Sequence, residues 1–147
     1  MSNQATPRGI RNNNPGNIDY NERNPWQGQD KQKPSDGRFC RFMGPEWGIR
    51  AIAKVISNYA KRDGTPGVGG KGIDTVQEII NRWAPPTEND TGAYVSQVAK
   101  AVGVSPTEPL NLEDDNTMAK LVTAIIRHEN GVQPYPADLI LAGVKLA

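Results

Sequence analysis

Met118, Leu121, Val122 and Ile125 recur at the i, i+3, i+4, i+7 spacing of a core-facing helical stripe, and the next position on that stripe is Glu129. A carboxylate on a buried face is desolvated, and this one also stands at the negative end of its own helix dipole. Both effects favour the neutral, proton-carrying form. An acid that keeps its proton near neutral pH is what glycosidic cleavage requires, because the leaving sugar oxygen must be protonated as it departs. That chemistry usually pairs the acid with a second carboxylate or a positioned water across the sugar. Position alone also suits a glutamate that faces solvent or accepts a bond from a neighbour such as Arg127. His128, one step round the helix, has no placed acidic partner and reads as structural or solvent-facing.

The helix carrying Glu129 opens at Asp115 or Asn116, runs from Thr117 to about Glu129 and stops at Gly131. Upstream, Pro45 suits a first helical turn and Glu46 its positive end. From there Trp47, Ile49, Ile52, Ala53, Val55, Ile56 and Tyr59 give a broad apolar face that must end before Gly64. Asp74 and Gln77 resemble a capping box opening a helix through Val76, Ile79, Ile80 and Trp83, ended by Pro85 and Pro86. Asp90 caps a helix carrying Tyr94, Val95, Val98, Ala99 and Val102, closed by Gly103, and a last helix spans Ala137 to about Lys145. Residues 8–38 are dense in Asn, Gly, Pro, Asp and Gln, and read as a long irregular segment that is a candidate site rather than a linker. Phe39 and Arg41 alternate with Cys40 and Phe42 as in a short strand. The glycine-rich stretch 64–72 is a flexible loop and not a phosphate cradle, since Gly72 follows Lys71 where Ser or Thr is needed and no strand precedes it. The expected fold class is mainly α (α+β): one domain over residues 1–147, about five helices with a small irregular or β lobe, and a disordered tail at 1–7.

A chain of 147 residues fits one domain with one sizeable core. It has no run of eighteen apolar residues, so no helical membrane span is expected. Seventeen basic and sixteen acidic residues leave a net charge of +1, too little to attract nucleic acid or an anionic membrane. The basic residues Arg8, Arg11, Arg38, Arg41 and Arg50 read as surface charge and local ion pairs. The single cysteine, Cys40, excludes an intramolecular disulfide, and with one histidine there is no His/Cys metal cluster. Flanked by Phe39 and Phe42, Cys40 reads as a small buried residue and not a nucleophile. No metal or organic cofactor is implied, and a monomer is expected. Met1 to Arg8 is polar, without the apolar stretch of a secretory signal.

Four motifs carry a resemblance: Arg8-Gly-Ile-Arg-Asn-Asn-Asn-Pro-Gly-Asn-Ile18, Gly48-Ile-Arg-Ala51, Arg82-Trp-Ala-Pro-Pro86 with Glu88-Asn-Asp90, and His128-Glu-Asn-Gly131. Together they resemble a family of phage and prophage proteins whose members are often called virion structural proteins, and the likeness covers about residues 8–131. That family in turn looks like a rearranged form of the lysozyme-like glucosaminidases and lytic transglycosylases. In those enzymes a helix ending in a catalytic Glu precedes an Asn-x-x-Gly-Asn-Ile turn, an aromatic strand and a further helix. Here the last three pieces stand in that order at Asn13–Ile18, Phe39–Phe42 and Glu46–Lys61, while the glutamate helix lies at Thr117–Gly131. The resemblance therefore implies a circular permutation that moves the catalytic helix to the C-terminal part, beside the Asn-rich loop. Chain termini commonly lie close together, so such a move is sterically cheap.

On this resemblance Glu129 is the acid of a peptidoglycan-cleaving enzyme acting on the β-1,4 glycan strand. Asp19 is the first choice for a second carboxylate that holds the water, with Glu22, Asp36 and Glu46 behind it. Asn13, Asn14 and Asn17 can present amides to sugar hydroxyls and N-acetyl groups, although Asn14 and Asn17 suit the turn itself at least as well. Tyr20, Trp26, Tyr94 and Tyr135 can stack on sugar faces, whereas Trp47 and Trp83 have helical core spacing. Two further readings stay open: a lytic transglycosylase, which needs no second carboxylate, and a non-catalytic virion component that binds glycan or another phage protein. The expected partners are bacterial peptidoglycan and phage particle proteins, with neither nucleic acid nor membrane. Synthesis is expected in the host cytoplasm and action in the periplasm or cell wall, after delivery by a virion, an export partner or a holin-type pore.

Overall fold

The apolar stripes close into one core. The computed structural model describes residues 6–85 and 90–147, so Pro86 and the Glu88-Asn89 part of the third motif lie outside the described residues. The described residues form six helices: α1 (Arg8–Arg11), α2 (Pro45–Ala60), α3 (Val76–Trp83), α4 (Thr91–Val102), α5 (Asp115–Asn130) and α6 (Ala137–Lys145). The protein is mainly α, with one short helix more than the apolar periodicity predicts. That helix, α1, is too short for any period to show, and it covers the start of the segment read as irregular. Pro7, in the tail expected to be disordered, accepts from the Arg11 N–H at 3.0 Å at its start.

Ile49, Ile52 and Ile56 of α2 meet Ile79 and Ile80 of α3, Val98 of α4, Leu121, Ile125 and Ile126 of α5 and Ile140 of α6, all essentially inaccessible to solvent. Burying a side chain of this kind stabilises by about 1.5–3 kcal/mol. In the packing, α2 lies on α6, α4 on α5 and α3, and α5 on α6.

Two caps differ from expectation by one residue. Thr75, not Asp74, caps α3: its Oγ1 accepts from the Glu78 N–H at 3.2 Å and donates to Glu78 Oε1 at 2.9 Å, a side-chain cap one step along. Asp74 instead accepts from the Gly70 N–H and closes the glycine-rich loop. Asp114 caps α5, accepting from the Thr117 N–H at 3.1 Å and its hydroxyl at 2.8 Å. At the far end Gly131 takes φ +74°, the left-handed geometry that terminates a helix, as does Gly103 after α4.

The β lobe does not form as strands. Among the described residues, segment 39–42 makes only isolated bridges, Phe39 to Asp19, Cys40 to Ser35 and Phe42 to Gln29. The alternation is as read, with Cys40 and Phe42 buried and Phe39 and Arg41 partly exposed. No ladder propagates because the partners come from three different stretches of chain.

Candidate functional site

Side-chain amides hold the Asn-rich loop together. Asn14, fully buried, donates from Nδ2 to the carbonyls of Ile18 and Cys40, both at 3.0 Å, and accepts from the Ile18 N–H at 3.0 Å. Asn13 and Asn17 adopt φ +52° and +50°, a left-handed conformation that asparagine tolerates better than most residues. Asn13 Nδ2 donates to the Phe42 carbonyl at 3.1 Å. Beneath this turn α2 begins: a Cβ at Gly48 would lie 2.0 Å from the Asn13 carbonyl oxygen, so only glycine admits the contact.

The loop then docks on the end of α5. Asn130 Nδ2 donates to the Pro15 carbonyl at 2.8 Å, and Asn17 Nδ2 to Glu129 Oε1 at 3.4 Å. The other carboxylate oxygen, Oε2, accepts from the Tyr94 hydroxyl at 3.0 Å. Glu129 is thus gripped from two sides, by residues 112 positions before it and 35 positions before it. Burial, and after it the charge of Glu129 and the bond to it, push the Tyr94 phenol far above its ordinary range, with Trp83 opposing. Tyr94 therefore acts as a donor toward the carboxylate. Its ring stacks on His128 with centroids 3.6 Å apart, and His128 Nδ1 bonds Gln97 Oε1, so the histidine supports the tyrosine.

Glu129 opens on a cleft of about 350 Å³. The loop supplies Gly16, Asn17, Ile18 and Asp19 to its walls. Helix α2 supplies Val55 and Tyr59, the end of α3 supplies Trp83 and Ala84, and Arg38 and Phe39 complete it. Glu129 and Asp19 therefore share one cavity with exposed aromatic edges, an arrangement that can seat a sugar ring between an acid and a second carboxylate. The Asp19 side chain is 74% exposed, with Oδ1 3.5 Å from Arg38 Nε.

Several proposed sugar contacts are not in this cavity. Tyr94 is 1% exposed and reaches the site only through its hydroxyl, so it offers no stacking face. Asn13 and Asn14 are engaged by backbone groups. Tyr135 packs against the core, its hydroxyl buried without a partner among the described residues, and burial pushes its phenol up to about 12. Tyr20 and Trp26 lie outside the cleft walls. Asp36 is structural: the Arg8 guanidinium first, against the effect of burial, then Asn12 and the N–H groups of Phe39 and Arg38, hold its carboxyl well below the usual carboxylate range. The arginines largely pair locally, Arg8 with Asp36, Arg38 with Asp19 and Arg41 with Asp30. Burial, then the nearby Asp19, push the Cys40 thiol up to about 11, which leaves it inert.

Sequence reading missed the aromatic walls. Tyr59 and Trp83 sit at the ends of apolar stripes, where a helix leaves the core, and their spacing does not distinguish a packed ring from one with an open edge. Tyr94 as the partner of Glu129 carried no signal either, since its spacing is that of any core residue.

A mainly helical protein with a gripped carboxylate at the mouth of a cleft is the class that fold and site define. The chain is similar to Protein P5 of Pseudoalteromonas phage PM2, 37% identical over 138 residues that span 92% of this chain and 79% of that protein. It belongs to the phage protein family that includes Protein P5. No protein-family model matches the sequence.

Proposed function

We propose that this phage-family protein cleaves the glycan strand of peptidoglycan, with Glu129 as the proton donor, on a lysozyme-like domain whose catalytic helix has been permuted to the C-terminal part. The observation that carries the reading is the Glu129 carboxylate held between Asn17 and Tyr94 at the wall of a cleft shared with Asp19. Glu129 gives its proton to the bridging oxygen as the C–O bond breaks, and positive charge develops on the sugar ring. In the hydrolytic route a water deprotonated by a carboxylate adds to that carbon, and Asp19 is the acid placed in the same cleft. One observation favours the transglycosylase route, in which the sugar's own hydroxyl adds and Glu129 takes its proton: the Asp19 carboxylate lies against Arg38. The site of action is the cell wall, reached by virion, export partner or pore.

Digestion of purified sacculi followed by mass analysis of the soluble fragments tests this. Glycan fragments are expected, reducing-ended for hydrolysis or anhydro-ended for transglycosylation. Intact strands after prolonged incubation would remove the activity and leave a non-catalytic phage component.

A further inference from the structure

Two guanidinium groups lie over the Phe39 ring, those of Arg8 and Arg38, each 4.7 Å from its centroid. They are not equivalent. Arg8 is consumed: Nε meets Asp36 Oδ2 at 2.5 Å and Nη2 meets Oδ1 at 3.0 Å. Arg38 lines the cleft beside Asp19, its side chain 66% exposed. Its one ionic contact among the described residues, Nε to Asp19 Oδ1 at 3.5 Å, is longer than a charge-assisted hydrogen bond of about 2.7–2.9 Å. Neither Nη group has a hydrogen-bond partner among the described residues. The backbone beneath is fixed, since the Arg38 carbonyl accepts from the Tyr20 N–H at 2.8 Å. A planar fork propped on an aromatic face, with its outer edge unused, is built to take a carboxylate in bidentate fashion.

We propose that Arg38, mounted on Phe39, is a specificity residue that binds a carboxylate borne by the glycan substrate, so the cleft selects an acidic strand over a neutral one. This rests on the glycan reading above. Peptidoglycan offers such a group on the peptide stem or, where the stem has been removed, on the lactyl ether of the sugar. A neutral N-acetylglucosamine polymer offers none.

The test is calorimetric binding of soluble glycan strands of matched length to an otherwise intact Glu129→Gln protein. Three strands are compared: with peptide stems, without stems so that the lactyl carboxylates are free, and with every carboxyl capped as a methylamide. Arg38→Gln is expected to weaken binding of a carboxylate-bearing strand about tenfold, as for loss of a hydrogen-bonded charge contact, and to leave the capped strand unchanged. The first two strands distinguish stem from lactyl group. Arg41→Gln, outside the cleft, is expected to change none of the three. Equal weakening on capped and uncapped strands, no effect on either, or no binding of any strand would overturn the proposal. Arg38-dependent binding with no cleavage by the native protein would overturn the catalytic reading and leave the binding role standing.

Discussion

The helical body and the Asn-rich lobe are held by different forces. In the body, isoleucine, leucine and valine from five helices fill a dry core, and the polar residues at helix ends serve mainly as caps. In the lobe, residues 12–44, the apolar content shrinks to a small cluster around Cys40 and Phe42 packed on Ala51 of α2, and scattered backbone bonds between separate segments, joined by amide side chains, take the place of strand ladders. The body tolerates local error because burial is summed over many contacts. The lobe relies on directional hydrogen bonds with little apolar burial behind them, and it is the lobe that carries Asn17 and Asp19 to the cleft of Glu129.

The contrast breaks most forcefully in the body. Ile125→Ala is expected to lower stability by about 2–5 kcal/mol, seen as a lower denaturant midpoint for the whole molecule. In the seam, Gly48→Ala must push the Asn13 backbone away and is expected to cost about 3 kcal/mol. Hydrogen exchange at the Cys40 and Phe42 amides should rise more than at core amides of α5, and equal rises would erase the distinction between the regions. Asn14→Ala strips the Ile18 and Cys40 carbonyls of a donor, an expected loss of about 1–3 kcal/mol.

Asp36→Asn sharpens the comparison through pH. The folded carboxyl is held below its ordinary value, so its stabilisation is fully present above the unfolded pKa of about 3.9 and is lost as pH falls further toward the folded value. The gap between variant and native protein should therefore be widest near neutrality and close in acid below about pH 4. A gap independent of pH would mean that the Arg8–Asp36 contact contributes no charge-dependent stability. The smallest effect is expected at Gly131→Ala, about 1 kcal/mol for forcing a side chain into left-handed geometry, read as a small drop in Tm.

The same division decided what could be read from the sequence. Helices α2 to α6 were legible because 3.6-residue periodicity and caps such as Asp90 and Gly131 are local signals. Glu129 was legible as an interruption of the Met118–Ile125 stripe. The lobe was not, because alternation at 39–42 reports which side chains are buried and not which segment supplies the partner. The contacts of Tyr94 and Arg38 in the site were hidden for a related reason: each is made to a residue far away in sequence, Glu129 for the first and Asp19 for the second.

The central claim concerns one proton on one carboxylate. It is tested most directly by clearing of purified sacculi with native protein and with Glu129→Gln, a nearly isosteric change, alongside circular dichroism of both. A drop in clearing of at least about a hundredfold, the scale of general acid catalysis, is predicted with the helical signal unchanged. Equal clearing by the two folded proteins would contradict it.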